Sequence, residues 1–114
     1  MEKTAGPYTP IMRSGDWLVV SGQIGHHDGV LVEGGLEAQL RQLFINLRRL
    51  LASEDANLHN IVKTTVFLTD IGDYDQMNEI YVQEFQDHRP SRSAVAVNAL
   101  PLGATVEIEA WART

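Results

Sequence analysis

"RPSRSAVAVNALPLGATVEIEAWA", residues 89–112, contains two extended segments joined by a loop, and the two segments are built differently. From residue 105 onward the chain alternates. Val106, Ile108, Ala110 and Ala112 leave on one side, and Thr105, Glu107, Glu109 and Trp111 on the other. Successive side chains of a strand point to opposite faces, so residues 105–113 are predicted to form a strand with one apolar face and Glu107 near the middle of the other. Residues 93–97, small and β-branched, predict a second strand, reached through Pro90 and Arg92. If these strands pair across "NALPLGA" (98–104), Arg92 and Glu107 stand at similar distances from the loop centre and can face each other. Three readings of the pair stay open. It is a structural ion pair, or Glu107 simply points to solvent, or Arg92 grips a substrate carboxylate with its planar fork while Glu107 handles a water or a proton.

Working outward, "PIMRSGDWLVVSGQIG" (10–25) predicts a hairpin, with Ser14, Gly15 and Asp16 as turn residues and residues 17–21 as a strand apolar on both faces. A glycine-rich stretch, "GHHDGVLVEGG" (25–35), follows and has room for one short edge strand. The period then changes. Leu36, Leu40, Leu43, Phe44, Leu47, Leu50 and Leu51 recur at three and four residues and predict a long amphipathic helix to about residue 53, before Asn57. "IVKTTVFLT" (61–69) predicts a strand. Asp70 or Asp73 can then cap a second helix carrying Tyr74, Met77, Ile80, Tyr81 and Phe85 on one side, which ends at "HRP". The expected order is ββ(β)αβαββ, without internal repeats, linkers or low-complexity segments. Two helices cover one face of such a sheet, yet residues 17–21, 62–68 and 93–97 are apolar on both faces. The uncovered face calls for a second copy of the chain.

Composition narrows the function classes. With 114 residues the chain suits one domain, residues 1–114, burying roughly 65% of its unfolded surface. Nine Lys and Arg against fifteen Asp and Glu give a net charge of −6, which opposes binding to nucleic acid or anionic lipid. There is no cysteine, so disulfides, thiolate nucleophiles and Cys-ligated zinc are excluded. The start resembles no signal peptide and no apolar run approaches ~20 residues, so a soluble, cytoplasmic protein is expected.

The remaining motifs carry less chemistry. His26-His27-Asp28 lacks a nearby third histidine and reads as a polar turn, so no metal is expected. Ser21 and Ser93 suit hydrogen bonding better than nucleophilic attack. Lys3 and Lys63 are the only lysines, the first in the terminal segment and the second inside a strand, which argues against a Schiff base. "SGQIG" (21–25) has neither the lysine nor the following helix of a phosphate loop. Gly22 reads as close backbone packing or as a carbonyl offered to a ligand.

Taken together, "GPYTP", "VVSGQIG", "IVKTTVFLTD", "YDQMNEIY" and above all residues 89–112 resemble the RidA (YjgF) family of enamine/imine deaminases over essentially the whole chain. The resemblance implies an α+β, chorismate-mutase-like fold, with a mixed sheet carrying two helices on one face. It also implies a homotrimer with a central barrel and active sites in the clefts between subunits. The implied reaction, which needs no cofactor or metal, hydrolyses 2-aminoacrylate/2-iminopropanoate or 2-iminobutanoate to a 2-oxo acid and ammonia. On this resemblance Arg92 clamps the substrate carboxylate and Glu107 orients or activates water. Tyr8 lines the cleft, Gly22 and Asn78 contact or shape the ligand, and Ser21, Phe67 and Ser93 complete the binding wall. One departure bears on rate and substrate preference: many deaminating members carry cysteine where this chain has Ala94. Two other readings stand beside the enzyme: a non-catalytic trimer binding small carboxylates as a sensor or chaperone, and an RNA-cleaving protein, against which the acidic balance argues.

Overall fold

The computed structural model describes residue 4 and residues 6–114. Strands β1 (Ile11–Ser14) and β2 (Trp17–Gln23) form the expected hairpin. The glycine-rich stretch contributes not one edge strand but a separate two-stranded ribbon, β3 (His26–His27) and β4 (Val30–Leu31). Helix α1 (Gly35–Ala52), strand β5 (Ile61–Leu68), helix α2 (Tyr74–Phe85), and strands β6 (Ser91–Ala96) and β7 (Val106–Arg113) follow. Together these make an α+β fold with a mixed five-stranded sheet, ordered β1-β2-β7-β5-β6.

That order corrects one expectation. Strands β6 and β7 do not pair: β5 lies between them, parallel to β6 and antiparallel to β7. Strand β5, helix α2 and strand β6 therefore form a βαβ crossover, which is how a parallel pair is connected. The loop after β6 then carries the chain past β5, and β7 enters as the central strand against β2. Arg92 is level with Thr64 on β5, whereas Glu107 is level with Phe67, three residues along.

Both helices cover one face of the sheet. Leu40, Leu43, Phe44, Leu47 and Leu51 of α1 are fully buried against Leu18, Val66, Ile108 and Ala112 of the strands, and Met77, Ile80, Tyr81 and Phe85 of α2 join the same core. Each large apolar side chain contributes roughly 1.5–3 kcal/mol by leaving water. Helix α1 starts after Gly34 and stops at Ala52, short of Asn57, whose side chain instead caps the 3-10 turn Leu58–Asn60. Asp70, not Asp73, makes the capping bond before α2, accepting from the Gly72 amide and ordering the turn that leads into the helix. Tyr74, expected with the apolar side, is 37% exposed at its margin. Among the described residues no helix is long and apolar enough to cross a membrane.

Candidate active site

Glu107 stands on the face of β7 turned away from the helices, directly across from Phe67. Burial, and secondly the negative charge of Glu109 two residues along the same face, hold its carboxyl above the ordinary 4.5. Room for the carboxyl comes from a β-bulge. Strand β2 loses register with β7 between Val20 and Gln23, and the bulge brings Gly22 against the glutamate. A Cβ on Gly22 would lie 2.8 Å from the Glu107 carboxyl carbon, so any other residue there would displace it. Close packing, one of the two expectations for Gly22, is present, and what it packs against is a titratable side chain.

Glu107 and Gly22 border a cleft of about 650 Å³, closed by Tyr8 from the N-terminal segment, His26 from β3, Arg49 from α1 and Leu102 from the loop before β7. Ser21 holds the N-terminal wall in place: its amide donates to the Pro10 carbonyl at 2.9 Å and its hydroxyl to the Thr9 carbonyl at 2.7 Å. The ribbon wall is fixed from beneath, since Asn46 donates to the carbonyls of Ile24 (3.2 Å) and His26 (2.9 Å). His27 pairs with Asp28 at 3.4 Å in solvent. Among the described residues no group of three His, Cys, Asp or Glu side chains could hold a metal ion.

Arg92 is elsewhere. It shares a face with Thr64, the helix-covered face, and reaches α2 at the open edge of the sheet. Its guanidinium lies 4.9 Å from the Tyr81 ring centroid and 5.6 Å from that of Tyr74. One terminal nitrogen donates to the Tyr74 hydroxyl at 3.1 Å, and the other approaches the Met77 sulfur at 3.8 Å. All four partners are neutral. Among the described residues no carboxylate pairs with Arg92. Asn78 lies on the same stripe of α2, one turn beyond Tyr74, and its side-chain oxygen is buried with no hydrogen-bond partner.

The residues singled out by sequence therefore fall into two groups within one chain. Glu107, Gly22 and Tyr8 border the cleft, Ser21 pins its wall, and Phe67 flanks Glu107. Arg92 and Asn78 sit at the α2 edge on the opposite face. Ser93, next to Arg92, points the other way and accepts a hydrogen bond from Lys63 at 3.0 Å. Sequence reading missed the Tyr74–Tyr81 pair around Arg92, although aromatics seven apart with Met77 between them mark one helical stripe. It also missed His26 and Arg49 as cleft walls, for which no local pattern exists.

Comparison with known proteins gives consistent results. The family model described as Endoribonuclease L-PSP matches residues 2–114. The chain is 41% identical over 109 residues to the human protein named 2-iminobutanoate/2-iminopropanoate deaminase, covering 94% of this chain and 80% of that one. It is 37% identical over 112 residues to a RutC family protein of Pyrococcus horikoshii, covering 96% and 89%. The crystal structure of RidA from an Antarctic Psychrobacter superposes with a TM-score of 0.93 at 33% identity, over 98% of this chain and 92% of that one.

Proposed function

This chain belongs to the endoribonuclease L-PSP (YjgF/RidA) family, and on that premise we propose that it hydrolyses the imines of small 2-oxo acids, such as 2-iminopropanoate and 2-iminobutanoate, in clefts between subunits. The observation that carries this reading is the state of Arg92: a cation held by two aromatic rings, a hydroxyl and a thioether, with its charge left unmatched for an incoming carboxylate.

Arg92 and Glu107 cannot meet on one substrate within a subunit. They stand on opposite faces of the sheet, two strands apart and three residues out of register, which is about 10 Å in each direction. The proposed site therefore takes Arg92 and Asn78 from one subunit and Glu107, Gly22 and Tyr8 from the next. This arrangement also gives the bare sheet face its partner, in the homotrimer that the family resemblance implies.

In the proposed reaction Arg92 fixes the carboxylate, and the unpartnered Asn78 oxygen accepts the substrate N–H. Water attacks the carbon of the protonated imine as Glu107 takes a proton from it. The C–O bond forms while the C=N electron pair moves to nitrogen. Glu107 then returns the proton to the nitrogen; as the C–N bond breaks, an oxygen lone pair forms the C=O bond, the hydroxyl proton passes to the Glu107 carboxylate, and ammonia and the 2-oxo acid leave. A carboxyl held above its ordinary value by burial is a better base than a free one, which suits the first transfer, and it gives the proton back in the second. Neither a cofactor nor a covalent enzyme intermediate is required. RNA cleavage, the activity in the family's name, fits poorly with a net charge of −6.

Complementation tests the reading. Arg92→Ala and Glu107→Gln are each expected to be nearly inactive towards imines generated in situ. Unfolded together and refolded as mixed oligomers, they should recover activity, because random mixing unites an intact Arg92 with an intact Glu107 in about one quarter of the clefts of a cyclic assembly. No recovery from mixed oligomers would place both residues in one subunit's site, or in none. Full imine turnover by Glu107→Gln alone would remove Glu107 from the chemistry, and wild-type protein that binds 2-oxobutanoate without turning over imines would be a small-carboxylate binder without catalysis.

A further inference from the structure

We propose that Tyr74 and Tyr81 form an aromatic clasp that positions Arg92 for carboxylate binding, making them positioning residues of the reaction rather than core filler. The inference rests on the assignment of Arg92 to the substrate carboxylate and adds how its orientation is set.

The two halves of the clasp differ. Tyr81 is 4% exposed, and its hydroxyl meets the hydroxyl of Thr64, itself fully buried, at 2.7 Å. Thr64 is the β5 residue level with Arg92, so the strand that carries the arginine's neighbour also tethers the ring beneath the guanidinium. Burial pushes the Tyr81 hydroxyl up, against the opposing effect of the Thr64 bond, so the ring stays neutral and keeps its partner. Phe85 and Phe44 brace the ring further, with centroids 4.7 and 6.1 Å away. Tyr81 is thus a fixed shelf. Tyr74, 37% exposed, is the outer jaw: its hydroxyl accepts a hydrogen bond from one guanidinium nitrogen and its ring flanks the cation.

A free arginine side chain loses rotamer entropy when a ligand fixes it. Here the shelf and the jaw settle that orientation before the ligand arrives, and both are neutral, so the charge is aimed without being cancelled. An acidic partner would orient Arg92 as well but would compete with the substrate carboxylate.

The test compares steady-state imine hydrolysis and calorimetric binding of 2-oxobutanoate in the full-length oligomer. Tyr74→Leu is expected to raise KM and the 2-oxobutanoate Kd together, by roughly threefold to tenfold, with kcat within about twofold of wild type. Tyr74→Phe restores the ring without the hydroxyl and should fall between the two. On the shelf side, Thr64→Val with Tyr81→Phe removes both hydroxyls at once, which avoids leaving a buried one unpaired; KM should again rise while the fold persists. In an Arg92→Ala background Tyr74→Leu should add no further loss. Wild-type KM and Kd in both Tyr74→Leu and the Thr64/Tyr81 double variant, alongside lost binding in Arg92→Ala, would overturn the clasp and leave the Arg92 assignment standing. A further loss from Tyr74→Leu in the Arg92→Ala background would equally overturn it, by showing direct contact with the ligand. Wild-type affinity in Arg92→Ala would bring down the underlying assignment itself.

Discussion

At the scale of single residues, Glu107 shows a conflict between stability and chemistry. Its pKa is raised in the fold, so between the ordinary carboxylate value and the raised one the native chain binds more protons than the unfolded chain. Stability therefore falls as pH climbs through that window, and at neutral pH the whole cost of ionising Glu107 in its half-buried place is present. Glu107→Gln removes the ionisation and keeps the shape. Its melting temperature is expected to exceed that of wild type at neutral pH, with the gap closing below the ordinary carboxylate range, while turnover drops by about 10²-fold. Thermal scans across pH beside deaminase assays check both halves. Glu109 supplies the second, like-charged cause of the shift. In Glu109→Gln the acid limb of kcat/KM should consequently move to lower pH, because the base is then easier to keep ionised. An unmoved limb would mean that another group titrates there.

At the scale of elements, the bulge in β2 is what makes Glu107 usable. Gly22→Ala places a methyl 2.8 Å from the carboxyl carbon, and the clash is resolved by moving the glutamate rather than the paired strands. The expected result is native secondary structure by circular dichroism, with turnover reduced about as far as in Glu107→Gln. Gly25 is a sterner case: a Cβ there would lie 2.2 Å from the Gln39 carbonyl oxygen, backbone against backbone, so Gly25→Ala should destabilise the fold itself. Element type was largely legible in the sequence because the signals are local. The leucine period made α1, and strict alternation made β7 with Glu107 on the face away from the helices. The partnership of the β1–β2 hairpin was legible too, but that of β6 and β7 was not. "NALPLGA" is short enough to read as a hairpin connection, and nothing in β6 or β7 alone states that β5 comes between them. That information lies in the parallel pairing of β5 with β6, a contact between segments separated by a whole helix. The consequence for the site is direct: a facing Arg92–Glu107 pair became two half-sites on opposite faces.

At the scale of the whole molecule, the face of the sheet away from the helices is the unsolved surface of a lone chain. Met12, Val19 and Trp111 form one cross-strand row on it, and Val95 and Phe67 form another that ends at Glu107. Met12 is 53% exposed, and Trp111 and Val95 are each 45% exposed, an apolar spread that water does not reward. Covering these rows with another copy would bury them and would place the neighbour's edge beside Glu107, so assembly and catalysis should fail together. Trp111→Glu tests this. The substitution puts a carboxylate at the β7 end of the first row, beside Glu109, while the core on the other face, built on Phe44, Val66 and Ile108, is untouched. Light scattering is expected to show three chains for wild type and one for Trp111→Glu, with the helical signal retained and imine hydrolysis lost. Position 111 is four residues from Glu107 along β7, and it is separated from Arg92 by β5 and by the sheet itself, since the two lie on opposite faces, so the loss of activity would follow from the lost neighbour and not from a damaged half-site. A monomeric Trp111→Glu that still turned over imines at the wild-type rate would mean that one chain suffices, and the two half-sites would then need a different explanation.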